Sequence, residues 1–126
     1  MNDAATVQKL LRQQAAIAKF GSFALAETDL LIVLTEAARV CAEGLSVKFS
    51  KICRYRADEK DLLIVAGYGW APGVIGNIVS RADESSPQGR AFATGEPTIS
   101  NYLRADNRYE LPAFYQSHHI VRLSMS

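Results

Sequence analysis

The chain has no long apolar run. Its longest uncharged apolar stretch lies around residues 30–34, far short of the roughly 20 residues needed to cross a bilayer, so no membrane insertion is expected. The segment after Met1, Asn2 and Asp3 is polar and holds Lys, Arg and Gln, unlike the apolar core of an export signal. A basic stripe is also missing: 14 basic and 13 acidic residues are interspersed and leave a net charge of +1. The densest basic stretch, Lys48, Lys51, Arg54 and Arg56, reads as a solvated or edge-protecting strand face, and no nucleic-acid partner is expected. Cysteine is scarce. Cys41 and Cys53 show no metal or redox spacing and each sits in an apolar pattern, which predicts buried free thiols in a reducing compartment. A cytoplasmic location is the expectation. There are no internal repeats and no low-complexity segments.

What is present is one domain's worth of globular sequence, 126 residues with 48% apolar and 21% charged side chains. Residues 5–20 contain neither Gly nor Pro and are rich in helix formers, with Val7, Leu10, Leu11, Ile17 and Ala18 on one broad stripe that Gln14 interrupts. Gly21 is the expected stop. So thin a stripe suits a helix that packs on a partner helix as well as on its own domain. Asp29 is the expected N-cap of a second helix over 30–43, whose stripe is Leu30, Val33, Leu34, Ala37, Ala38, Cys41 and Leu45, with Gly44 at its end.

The pattern then changes to β. Residues 47–55 and 62–68, joined by the charged stretch 56–61, predict a hairpin. Leu62, Ile64 and Ala66 alternate with Leu63 and Val65, so both faces of this strand are expected to be covered. Glycines and Pro72 punctuate the next stretch, before a short strand near 77–79. Ser86-Pro87 predicts the start of a helix over 88–94, closed by Gly95-Glu96-Pro97. A brief strand at 98–100, a polar loop over 101–108, a short helix at 111–117 and a strand at 120–125 complete the chain. A last strand with nothing after it leaves an open edge, which predicts a fragment or a chain completed by a partner.

Ala66-Gly67-Tyr68-Gly69-Trp70, Ser86-Pro87-Gln88-Gly89-Arg90-Ala91-Phe92, Asp106-Asn107-Arg108-Tyr109 and His119-Ile120-Val121, taken together, resemble segments in the GAF domains of bacterial sensor histidine kinases. Ala66-Gly67-Tyr68-Gly69-Trp70 with Pro72-Gly73-Val74-Ile75-Gly76 is similar to the stretch after their second strand. Ser86-Pro87-Gln88-Gly89-Arg90-Ala91-Phe92 with Thr94-Gly95-Glu96-Pro97 is similar to their next helix and turn. Asp106-Asn107-Arg108-Tyr109 with Pro112 resembles the pocket-side loop, and His119-Ile120-Val121 the step into the following strand. The resemblance runs over residues 5–126. It implies an α+β fold, with an antiparallel GAF/PAS-like sheet, N-terminal helices on one face and loops and short helices on the other. By the same resemblance the last strands and closing helix are missing, residues 1–21 form a signalling or dimerisation helix, and 22–126 an incomplete GAF domain.

A ligand site in such a domain needs aromatic walls and a few polar groups. By position the candidates are Trp70, Phe92, Arg108, Tyr109, Phe114 and His118. Trp70 and Phe92 read first as core packing and only second as pocket walls. Arg108 is either an anion clamp or the partner of Asp106 or Glu110. The adjacent His118 and His119 point different ways and lack acidic or thiol company, so no metal site is expected, though one of the two is expected to be part-buried and to titrate near neutral pH.

Three activities of the family leave no matching signature. Cyclic-nucleotide binders carry Asn-Lys…Phe…Asp-Glu, and here Asp83-Glu84 stands without the preceding Lys and Phe. Bilin binders carry Cys-His where this chain has Glu110-Leu111, and methionine-sulfoxide-reducing members use several loop cysteines. Ser117, His118 and Asp106 make a Ser-His-Asp set on paper, without a nucleophile elbow. The expectation is a regulatory module that has no catalytic residues and needs no cofactor. It binds an unknown small molecule, dimerises through its N-terminal helix and controls a linked output such as a histidine kinase. The alternative is a ligand-free dimerisation scaffold.

Overall fold

A computed structural model describes residues 3–100, 108–109, 113–120 and 122–125. In chain order the elements are α1 (Asp3–Ala26), α2 (Leu30–Gly44), β1 (Ser50–Arg56), β2 (Asp61–Tyr68), β3 (Val79–Arg81), α3 (Pro87–Thr94), β4 (Thr98–Ser100), α4 (Ala113–Ser117) and β5 (Leu123–Met125). The fold is α+β with antiparallel pairing. One sheet has the order β1-β2-β3, with Leu62 opposite Ser80, and β4 pairs with β5 through Ile99 opposite Ser124. The chain divides into two compact units, Met1–Ile52 with Val65–Trp70, and Cys53–Ile64 with Ala71–Ser126. The expected loop over 101–107, Leu111 and Pro112 at the start of the fourth helix, and Val121 of the last strand lie outside the described residues.

In the first unit, α1 packs along α2. The helix does not stop at Gly21 but runs on to Ala26, because Ser22-Phe23-Ala24-Leu25-Ala26 keeps helical φ/ψ and a lone Gly costs a helix interior only about 0.5–1 kcal/mol. The half-buried residues of α1 are Gln13, Ala16, Phe20, Gly21, Phe23 and Ala24, while the expected stripe of Val7, Leu10, Leu11, Ile17 and Ala18 faces solvent. Gln13 Nε2 donates to the Gly44 carbonyl at 2.8 Å, satisfying one of the open carbonyls at the end of α2.

Helix α2 begins as expected, with the Asp29 carboxylate accepting from Leu31 N–H at 2.9 Å. It ends one residue later than expected, with Ser46 in the left-handed region (φ 54°). Its buried positions are Ala38 and Ala42, one turn apart, and they let the helix sit close enough for Ser50 Oγ to donate to the Ala38 carbonyl. Leu30, Cys41 and Leu45, at the edge of that stripe, are exposed. Cys41 is therefore not a buried thiol, and Cys53 on β1 is only half-buried.

In the second unit, β2 buries Leu62 and Ile64, whereas the opposite face at Leu63 is half-covered rather than closed. The strand expected at 77–79 begins two residues later. Residues 74–78 first turn, with Gly76 at φ 84°, although Gly76 N–H and the Ile78 carbonyl already bond the two polar groups of Ile64. The last strand starts at Leu123, and Ile120 instead closes α4 by donating to the Tyr115 carbonyl.

Helix α3 is organised at its first turn. Ser86 Oγ accepts from Gly89 N–H at 2.9 Å and donates to the Arg81 carbonyl at 2.8 Å. A Cβ on Gly89 would collide with the carbonyl oxygens of Asp83 and Arg81, so only glycine admits this close return of the 81–86 loop. Gly89 differs in this respect from Gly21 in α1, where a Cβ would meet open space. Gly21→Ala should raise thermal stability by about 0.5–1 kcal/mol, whereas Gly89→Ala should lower it by more than about 2 kcal/mol. Circular-dichroism melts read both, and an unchanged midpoint for Gly89→Ala would remove the close-approach argument.

Candidate ligand-binding site

Trp70 belongs to the first unit. Its indole Nε1–H donates to the Ser50 carbonyl at 2.7 Å, and its ring stacks on Phe49 with centroids 4.8 Å apart. Gly67 makes room for that ring, since a Cβ there would lie 2.8 Å from Cδ1 and Nε1 of the indole. The Gly67-Tyr68-Gly69-Trp70 run thus has a local reason: Gly67 clears the path of a tryptophan that closes back on the start of β1, and Gly69, at φ 88°, lets the chain pass the Lys48 carbonyl.

The other five candidates lie in the second unit. Phe92, on α3, is half-exposed and stacks on Tyr55 of β1 with centroids 4.6 Å apart. Arg108 holds its guanidinium 4.8 Å above the centre of the Tyr109 ring, a cation–π contact. Asp106 and Glu110, its expected ion-pair alternatives, lie outside the described residues. Tyr109 is 8% exposed, and its hydroxyl is buried with no hydrogen-bond partner. Such a group forfeits about 1–3 kcal/mol until an acceptor or donor reaches it.

Phe114 and His118 are one turn apart at α4 and meet edge to face, with ring centroids 6.2 Å apart. Phe114 also meets Tyr115 edge-on at 4.7 Å. Both nitrogens of His118 are engaged: Nε2 lies 3.0 Å from Ala71 N and Nδ1 lies 2.7 Å from the Phe114 carbonyl oxygen. The structure therefore brings the candidates together as two pairs, Arg108 with Tyr109 and Phe114 with His118. It sets Phe92 against Tyr55 and Trp70 against Phe49.

Gln88 and Tyr115 escaped the sequence reading. Tyr115, 2% exposed, donates its hydroxyl to Gln88 Oε1 at 3.2 Å, and both side chains are buried. Burial, and to a lesser degree the nearby Cys53 thiol, raise the Tyr115 phenol above its ordinary range. The one available signal was the position of Gln88 between Pro87 and Gly89, where a long amide just behind a capped helix start points inward.

Two open cavities are lined by other residues. One, of about 750 Å³, runs between α1 and α2 over Ala16, Phe20 and Val40, with Lys9 and Arg12 on its rim. On its wall Arg39 bridges Glu36 and Glu43, and the bond to Arg39 holds the Glu36 carboxyl below its usual range. The other, of about 620 Å³, lies by Tyr55, Asp61, Val79, Arg81 and Asp83. Beside it Arg56 grips Asp61 through two bonds of 2.8 and 2.6 Å. Among the described residues no group of three or more His, Cys, Asp and Glu stands close enough to hold a metal ion, and no helix is long and apolar enough to cross a membrane.

No family model matches the sequence, and neither does any curated protein. Solved structures do match its fold. The GAF domain of a phosphoenolpyruvate-protein phosphotransferase from Coxiella burnetii superposes with a TM-score of 0.72 at 12% identity, covering 81% of this chain and 60% of that one. The A. aeolicus nlh2 GAF domain in an inactive state gives 0.70 at 16% identity, over 87% and 65% of the two chains. A free methionine-R-sulfoxide reductase from Neisseria meningitidis, solved with its substrate, gives 0.62 at 15% identity, over 78% and 56%. The fold is that of GAF domains. The chain spans about three-fifths of the length of these structures, and the same fold serves both named GAF domains and an enzyme.

The two buried tyrosine hydroxyls make opposite predictions. Tyr115→Phe strands Gln88 Oε1 and should cost about 1–3 kcal/mol, whereas Tyr109→Phe removes an unpaired group and should leave stability unchanged or slightly higher. Because the Tyr115 phenol is raised in the folded state, its contribution is complete below the ordinary phenol range near pH ~10 and is lost as pH rises past it. Urea titrations of both variants at pH 7 and pH 11 read all three effects. Equal losses at the two tyrosines would overturn this assignment.

Proposed function

We propose that the chain is a sensor domain of GAF type in a bacterial, cytoplasmic signalling protein, with a sensor histidine kinase as the linked output. Residues 1–21 are assigned as the start of the signalling helix and residues 22–126 as the ligand-responsive domain. The domain itself performs no catalysis, and neither thiol, one on a helix and one on a strand, sits in a loop. Histidine-kinase output is supported by the Gly67–Gly76 and Ser86–Pro97 sequence resemblance, and the regulatory role by the fold.

The observation that carries ligand binding is the Tyr109 hydroxyl, buried without a partner on a ring whose face the Arg108 guanidinium covers. A small molecule with an acceptor atom would satisfy the hydroxyl, and Arg108, Phe114 and His118 are the further candidates for its surroundings. Trp70 and Phe92 complete the candidate set, although their rings now rest on Phe49 and Tyr55. Binding would favour one packing of the domain over another, and α1 would pass the difference on.

The dimer belongs to the same proposal. Val7, Leu10, Leu11, Ile17 and Leu25 are 53–92% exposed on a helix with no fully buried residue. Val7, Leu11, Gln14, Ala18, Gly21 and Leu25 repeat at alternating steps of four and three, the spacing of a two-helix seam. A second copy of α1 is the occupant assigned to that seam. The scaffold alternative keeps this dimer and leaves the ligand out, and it is favoured by the bonds that already occupy the Trp70 indole and both nitrogens of His118.

Thermal shift against nucleotides, haem, flavins and small carboxylates separates the two readings. The sensor reading expects one class to raise the melting point of the wild type and to lose that effect in Tyr109→Phe. A flat panel with an intact dimer selects the scaffold. For the seam, Leu11→Glu with Leu25→Glu should halve the mass seen in sedimentation while leaving the helical signal unchanged. A wild-type monomer at high concentration would end the dimer proposal.

A further inference from the structure

We propose that His118 is an acid-released latch that ties the 71–76 turn to the end of α4 only while its imidazole is neutral. The tautomer follows from the two partners. The Phe114 carbonyl can only accept, so Nδ1, 2.7 Å away, carries the proton. The Ala71 amide can only donate, so Nε2, 3.0 Å away, offers a lone pair.

A second proton has one place to go, Nε2, where it meets the Ala71 N–H head-on and ends that bond. The Phe114 bond survives in either state, because Nδ1–H is common to both. Charging the ring therefore leaves it anchored to α4 and releases the turn. The switch has a direction.

The surroundings are arranged for such a change. From α4 the ring meets Phe114 edge-on and the Ser117 hydroxyl at 3.3 Å, and from the turn it meets the Ala71 amide. None of these groups is charged. The next titratable side chains along the chain, His119 and Arg122, are exposed. On the other side of the latch, Ala71 begins a compact turn in which its carbonyl accepts from Val74 N–H, and the Val74 carbonyl accepts from Asn77 and Ile78. Val74 is buried, so the turn is held at its middle by packing and at its start by His118. Protonation of the ring thus loosens the start of the turn, while the buried Val74 holds its middle.

Nitrogen NMR on the wild-type chain tests this directly. At pH 8 the His118 ring should show Nδ1 protonated and Nε2 bare, and the Ala71 amide proton should co-titrate with the ring as pH falls to 5. Over that range Ala71 exchange, corrected for the intrinsic rate, should quicken about tenfold while Ile64 and Gly76 hold steady. His118→Gln, whose amide oxygen accepts at every pH, should abolish the dependence, and His118→Ala should leave Ala71 fast throughout. A ring protonated at Nε2 at pH 8, or an Ala71 amide indifferent to pH, overturns the latch, and the wild-type tautomer decides this even if a variant misfolds.

Discussion

The first turn of α3 is the constraint on which the second unit depends. Ser86 uses its one hydroxyl twice, closing the helix start through Gly89 N–H and holding the incoming chain through the Arg81 carbonyl. The missing side chain at Gly89 lets the 81–86 loop lie against the helix backbone. With that corner set, Gln88 points inward to meet Tyr115, and Phe92, one turn on, lies on Tyr55. One aromatic contact and one buried polar pair thus descend from a capping arrangement a few residues long.

The first unit rests on small residues instead. Ala38 and Ala42 admit the Ser50 hydroxyl to a helix carbonyl, and Gly67 admits an indole over the end of β2. Helix α1 adds little to any closed core. Its inner side is a half-buried row of Gln13, Ala16, Phe20 and Phe23, and its outer side is more apolar than its inner one. A helix built this way is marginal as a lone appendage and well suited to contact on two sides.

Elements whose ends are chemically marked were legible in the sequence. Asp29, Ser86-Pro87 and Gly95 are local signals, and the structure places caps at each of them. Signals that depend on what lies across space were not. Gly21 looked like a terminus because glycine often is one, but nothing crowds it and the following residues favour helix. The apolar stripe of α1 was found and its direction was not, because periodicity does not say which neighbour, if any, covers a face. Cys41 was misjudged for the same reason, lying at the edge of a stripe centred on Ala38 and Ala42. Of the candidate site residues, the sequence could supply aromatic and basic types. It could not say that Trp70 would give its indole proton to a backbone carbonyl, or that one tyrosine hydroxyl would be paired and another left bare.

Among the described residues, three turns close on a left-handed residue that is not glycine: Ser46 after α2, Lys60 in the β1–β2 connection and His119 after α4. Each holds about 1 kcal/mol or more of backbone discomfort that a glycine would relieve. The domain therefore carries unspent stability at three independent positions far apart along the chain. A lineage moving to a hotter niche could draw on them singly, by ordinary point substitution and without repacking any core. At Ser46 and Lys60 such a change touches none of the candidate ligand residues. At His119 it would alter the neighbour of the His118 latch, so stability can be raised without touching that contact at two of these turns and not at the third.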